Sequence, residues 1–177
     1  MAGTENFYED NEDTLKNDVW SSDDGIHWKL ETECATWPKR THAQAVVFDG
    51  KMWIMGGGAW HPETIPRHDI WCSEDGVDWT CATPLRRGSR ACGFRGAVYR
   101  DHLWLLGGWN RDDGNLGDVW YSRDGIDWTE MKSEVIWTKR HEHSAFVLDD
   151  MIWVAGGYGE VLDSQVWSLH IPADFFD

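Results

Sequence analysis

The side chains best suited to recognition chemistry gather in six short stretches that separate apolar runs: ATWPKRTH, GGAWHPETIPRH, PLRRGSRACG, GGWNRDDGNLG, VIWTKRHEH and GGYGEVLDS. Within them stand Arg40, Trp60, His61, Arg86, Arg87, Arg90, Trp109, Asn110, Arg111, Arg140 and Tyr158. A guanidinium is a planar fork for carboxylates, and an indole or phenol ring is a stacking surface. This set therefore points to recognition of an acidic peptide or an anionic sugar. Arg40 and Arg140 share the pattern W-x-K-R, at Trp37 and Trp137, so a structural role repeated along the chain is as strong a reading for them. Trp60, His61, Trp109, Asn110 and Arg111 belong to single stretches and are the better ligand-binding candidates.

Catalytic and metal-binding constellations are thin. His141 and His143 alternate, which on a strand would turn both imidazoles to one side, but no third ligand stands at a suitable spacing. The run NRDDGN from Asn110 has oxygen donors without the remaining positions of an EF-hand loop. Cys34, Cys72, Cys81 and Cys92 form no C-x-x-C pair and read as free thiols. The expectation is a protein with no catalytic residue, no metal and no cofactor.

Charge narrows the partners. Asp and Glu number 31 against 16 Lys and Arg, a formal net charge of −15 that repels a phosphate backbone and argues against a nucleic-acid partner. No apolar run approaches the length of a membrane-spanning helix, and the N-terminus MAGTENFYEDNED is acidic where an export signal would be basic and then apolar. As given, the sequence is expected in the cytoplasm; an extracellular setting follows only where it is a piece of a longer chain.

The elements that must hold the loops are read from a repeat. DVWSSDDGIHW from Asp18, DIWCSEDGVDW from Asp69 and DVWYSRDGIDW from Asp118 are near copies, and QVWSLHI from Gln165 begins a fourth. They recur about every 50 residues, a period typical of propeller blades or solenoid turns. Before each later copy lies an apolar run that ends in two glycines: AVVFDGKMWIMGG, AVYRDHLWLLGG and AFVLDDMIWVAGG. Such short runs, rich in Trp and aliphatics and closed by glycine, predict buried strands, and no amphipathic helix is visible. Asp-Gly at 49 and 50, 75 and 76, and 124 and 125 predicts hairpin turns, with Asp149-Asp150 as a weaker equivalent. The recurring Trp20, Trp28, Trp71, Trp79, Trp120 and Trp128 are expected to fill space between sheets.

KRTHAQAVVFDGKMWIMGG followed by HDIW and DGVDW, and likewise RHEHSAFVLDDMIWVAGG, resembles the kelch repeat. The likeness covers nearly everything from Asp18 to Ile171. It implies an all-β chain, a kelch-type β-propeller segment of four-stranded antiparallel blades. The S-x-D-G-x-x-W turn is also similar to the Asp-box hairpin of sialidases, but one residue shorter. Kelch proteins include actin binders, ubiquitin-ligase adaptors, a sialic-acid epimerase and galactose oxidase, so the resemblance implies a fold and not one function. The radical tyrosine and copper ligands of galactose oxidase have no matching arrangement among Tyr8, Tyr99, Tyr121 and Tyr158.

Taken in kelch order, residues 1–17 are an acidic N-terminal segment and 18–171 hold about three to three and a half repeats. These are a partial blade at 18–30, blades at 42–83 and 92–131, and a partial blade at 141–171, followed by a tail at 172–177. Such a segment does not close a ring alone, so a homo-oligomer or the remainder of a longer propeller is expected beside it. The kelch order also implies that the six polar stretches emerge on one side and the Asp-Gly turns on the other. The resulting reading is a non-catalytic binding module whose basic, aromatic loop face recognises a protein, with a carbohydrate-binding or sugar-modifying propeller, or part of a larger secreted enzyme, as the alternatives.

Overall fold

The computed structural model describes residues 2–6, 8, 9, 11, 13–83, 92–134 and 137–176, and no helix occurs among them. The chain divides into two compact units, Met1–Gly93 and Phe94–Asp177. The first holds β1 (Ala2–Thr4), β2 (Leu15–Asn17), β3 (Val19–Ser21), β4 (Lys29–Thr32), β5 (Gln44–Phe48), β6 (Lys51–Met55), β7 (Gly58–Ala59), β8 (Ile65–Pro66), β9 (Ile70–Ser73) and β10 (Thr80–Thr83). Its largest sheet is antiparallel in the order β5-β6-β9-β10, and β1-β2, β3-β4 and β7-β8 are two-stranded. The second unit holds β11 (Arg95–Tyr99), β12 (His102–Asn110), β13 (Gly114–Ser122), β14 (Thr129–Met131), β15 (Ser144–Leu148), β16 (Met151–Ala155) and β17 (Val166–Leu169). These form a four-stranded sheet, β11-β12-β13-β14, and a three-stranded one, β15-β16-β17, both antiparallel. The protein is thus all-β, with several antiparallel sheets of which none is closed.

Two kinds of turn build the sheets, and the sequence separates them poorly. The hairpins β5-β6, β11-β12 and β15-β16 turn on Asp49-Gly50, Arg100-Asp101 and Asp149-Asp150, all at positive φ. That is the two-residue geometry whose twist matches paired strands. In each, the Trp two residues into the second strand donates its indole N–H to a carbonyl five residues back: Trp53 to Phe48, Trp104 to Tyr99 and Trp153 to Leu148.

The Asp-Gly pairs at 75 and 76 and at 124 and 125 were expected to make the same turn, and they do not. β9 ends at Ser73 and β10 begins at Thr80, leaving a longer loop that side chains organise. Gly76 N donates to Ser73 Oγ at 2.8 Å, while Val77 N and Asp78 N donate to Asp75 Oδ1 at 2.8 and 2.9 Å. Trp79 Nε1 then closes the loop on Gly76 O at 3.0 Å. Ser122, Asp124 and Trp128 repeat every one of these bonds. Ser22 and Asp24 repeat the first part. The Ser, Asp and Trp of S-x-D-G-x-x-W therefore each satisfy a backbone group that the loop would otherwise leave unpaired.

In the second unit the core lies between the two sheets, where Trp104, Leu106, Ile152, Val154 and Ile171 are fully buried and Trp137 nearly so. Each such side chain contributes about 1.5–3 kcal/mol by leaving water. The C-terminal tail joins this core: Phe175 and Phe176 pack against it, and the Phe176 ring stacks on His102 at 3.9 Å. In the first unit, Ala35, Trp37 and Ile54 form a smaller core with Trp71 and Trp79 against it. Trp20 and Trp28, in the first copy of the repeat, are exposed. Within the N-terminal segment, Ala2–Thr4 pairs with Leu15–Asn17. All four cysteines are free thiols, and Cys72 and Cys81 face Thr80 and Trp71 rather than each other.

Candidate functional site

The loop side is organised by the chain segments that enter each sheet. In the second unit, Gly108 N donates to Arg140 O, and Arg140 N to Leu116 O, at 2.9 and 3.0 Å. The next residue bonds the following sheet, with His141 N to Tyr158 O and Tyr158 N to His141 O at 3.0 and 2.9 Å. Side chains extend the clamp: His141 Nδ1 lies 2.6 Å from Asn115 Oδ1, and Asn115 Nδ2 donates to Gly159 O at 2.8 Å. The His141 and Tyr158 rings meet edge-on at 5.5 Å. In the first unit, Thr41 and Gly58 exchange the corresponding backbone bonds, at 2.8 and 3.0 Å.

Arg40 and Arg140, both expected as ligand contacts or repeat residues, are fully buried. Arg40 forks onto both oxygens of Asp69 at 2.8 Å and donates to Gly56 O and Pro38 O. Asp69 Oδ2 also accepts the Trp71 indole N–H at 2.7 Å. Burial pushes the Asp69 carboxyl up, but the Arg40 hydrogen bonds and charge outweigh it and hold the group below its usual range. Arg140 bonds Thr138 O, Gly156 O, Asp163 and Gln165 in the same way, and Gln165 accepts from Trp167. The D-x-W motif is thus one strand's carboxylate holding the indole two residues on: Trp20 to Asp18 and Trp120 to Asp118 are both 2.6 Å. Asp118 Oδ1 is buried with no hydrogen-bond partner.

The other predicted contacts separate. Asn110 is buried at the β12-β13 turn, where its Oδ1 accepts from Asp112 N and Asp113 N and its Nδ2 donates to Asp113. Its side chain shapes the hairpin. Trp60 is half-buried and meets His42 edge-on at 5.7 Å, while His61 lies 6.1 Å from the Tyr8 ring. Trp109 is half-buried, and Arg111 and Tyr158 are exposed. Arg86, Arg87 and Arg90 lie outside the described residues. The described loops mix signs: the second unit has exposed Arg111 and Lys139 together with exposed Asp112, Asp113, Glu142 and Glu160, and the first has exposed Glu63.

The two histidines also part company. Glu142 between them takes φ 54° and β15 starts only at Ser144, so His141 and His143 do not share one strand face as expected. His143 is fully buried, with neither ring nitrogen hydrogen-bonded. Burial, followed by the positive charges of Arg95, Arg140 and His141, lowers its pKa to about 3. Arg95, a residue the sequence did not single out, donates Nε–H to His143 O and has its own pKa lowered by burial despite nearby Glu142. Among the described residues, no three His, Cys, Asp or Glu side chains converge on a metal-holding group.

No protein-family model matches this sequence, and no curated protein matches it.

Proposed function

We propose that the chain is a kelch-type propeller segment that binds a protein partner through the loop side of its sheets. The observation that carries this reading is the clamp at His141. One segment ties together the loop ends of two successive sheets, through Asn115, Gly159 and Tyr158. Trp109, Arg111 and Tyr158 thus rest on a surface ordered before any ligand arrives, and preorganisation reduces the entropy lost on binding. The aromatic groups suit the core of an interface and the exposed charges its rim. The sequence carries further positive charge at Arg86, Arg87 and Arg90, outside the described residues, and an acidic segment in the partner suits it.

The test is an array of acidic peptides, neutral peptides and neutral glycans probed with the wild-type chain and two variant sets. Arg111→Ala with Lys139→Ala should leave stability within about 0.5 kcal/mol, since both side chains are exposed. Acidic-peptide binding should fall, and added salt should mimic that loss, because exposed charges are screened over about 8 Å at physiological ionic strength. Salt-independent glycan binding that is lost in Trp60→Ala or Trp109→Ala would replace the protein reading with a carbohydrate one. Binding that survives alanine at Trp60, Trp109, Arg111 and Tyr158 would remove this side from consideration.

A further inference from the structure

Arg95 carries a charge that the fold does not answer. It opens β11, where the first residues of β5 and β15 are Gln44 and Ser144, so no repeated role requires an arginine there. The side chain is half-buried; its Nε donates to His143 O and its Nη1 makes a 3.4 Å contact with Phe94 O. Among the described residues, Arg40, Arg100 and Arg140 each meet a carboxylate, at 2.8, 2.6 and 2.9 Å, and Arg95 meets none. The run PLRRGSRA before Cys92 contains no acidic residue either. Burial lowers the pKa of Arg95 more than the charge of Glu142 raises it, so folding strips water from the guanidinium without a matching return. An anion bonded to the outer edge of the fork would supply that return.

A second group is set to respond to such an anion. Asn115 spends its Nδ2 on Gly159 O, which leaves Oδ1 facing His141 Nδ1 at 2.6 Å. Nδ1 therefore carries the ring proton, and Nε2 of the neutral ring is a lone pair that becomes a donor only on protonation. The ring is half-buried, with Asn115 of β13 and Tyr158 beyond β16 against it and Arg140, Glu142 and His143 around it in the chain. Burial lowers its pKa; Glu142 opposes this, and the positive charge of Arg95 lowers it further. Arg95 acts in the same sense on His143, so its fork lies within electrostatic reach of both rings.

We propose that Arg95 and His141 form a carboxylate subsite of the loop side, in which the Arg95 fork holds the anion and His141 takes up a proton as the anion binds. The subsite rests on the loop-side reading and seats a side-chain carboxylate of the partner's acidic segment. Linkage gives the proton its sign. An anion on Arg95 cancels the positive charge that helps keep His141 neutral, so the bound state accepts a proton more readily than the free one. Affinity is therefore level at high pH and rises as pH falls through the bound-state value. A singly charged anion suits the place better than a dianion, because Glu142 and a net charge of −15 repel each added negative charge.

The probe is N-acetylglutamic acid α-amide, titrated at constant ionic strength into the ¹⁵N-labelled full chain while imidazole and amide resonances are followed at pH 7, 6 and 5. N-acetylglycine, inorganic phosphate and the neutral N-acetylglutamine amide are run beside it. The expected result is saturable binding of the first probe that tightens at least about threefold from pH 7 to pH 5, with a higher His141 titration midpoint in the bound state. Arg95→Gln, which keeps a donor for His143 O, should weaken binding at least about tenfold and raise the His141 midpoint in the free protein. Arg95→Lys should keep that midpoint low and recover only part of the affinity, since the planar fork is lost. Unchanged affinity in Arg95→Gln, a His141 midpoint that binding does not move, or preference for phosphate or N-acetylglycine would overturn the subsite. An acidic peptide that binds Arg95→Gln as well as the wild type would overturn it too, and leave the loop-side reading standing. Carboxylate binding with the His141 response, in a chain that no acidic peptide binds, would do the reverse.

Discussion

Acidification from pH 7 to pH 5 should destabilise the fold through one buried imidazole, His143. The ring packs against Gly107 within β12, where an added Cβ would stand 3.1 Å from its Cε1, and Gly157, just past β16, approaches its Cβ. Folding holds the ring neutral, with a pKa of about 3, while in the unfolded chain it titrates near the ordinary value of about 6.5. The unfolded state therefore binds more protons between those values. The contribution of the neutral ring is complete above about 6.5 and is lost as pH falls towards about 3. Each pH unit within that window is worth about 1.4 kcal/mol, so the fall from 6.5 to 5 removes about 2 kcal/mol. The assay is urea unfolding of the wild type and His143→Leu at pH 7, 6 and 5. Leu neither titrates nor leaves a polar atom unpaired, so the variant should lose this part of the slope. His141, whose pKa burial also lowers, stays in both proteins and cancels in the difference. A stability difference that is flat from pH 7 to 5, or an His143 proton resonance that titrates near 6.5, would refute the reasoning.

Arg40→Met should destabilise by about 3–5 kcal/mol in the same unfolding assay, because it leaves the Asp69 carboxylate buried without its fork. Adding Asp69→Asn should recover part of the loss. Gly57→Ala should cost more than Gly50→Ala. At Gly57 (φ 82°) the new Cβ would meet Thr41 O at 2.4 Å, whereas at Gly50 (φ 69°) nothing lies within 4 Å. Gly50→Ala should stay near about 1 kcal/mol, the backbone penalty alone, and equal thermal shifts for the two would contradict the close approach. The experiments described above complete the set.

Much of the fold was legible because it is local. Alternating apolar runs, glycine closures and a recurring S-x-D-G-x-x-W loop each encode backbone conformation within a dozen or so residues, and the strands stand where those patterns lie. The turn types were less legible. Asp-Gly looks the same at 49 and at 75, yet only the second follows a serine whose hydroxyl captures the glycine amide. The candidate site was less legible again. Arg40 and Arg111 are the same residue in polar loops, but Arg40 finds Asp69 across 29 residues and vanishes from the surface.

By itself, then, the sequence determined an all-β chain of repeated hairpins, the places of its strands, and an acidic balance that disfavours nucleic acid. Those properties depend on period, turn chemistry and summed charge, which a linear string carries in full. Tertiary structure alone decided which cations are consumed inside, that His143 is buried neutral, and that the C-terminal phenylalanines complete a core. Burial and pairing are relations between residues far apart in the chain, and their energies depend on distance and solvent access that exist only once the strands have packed.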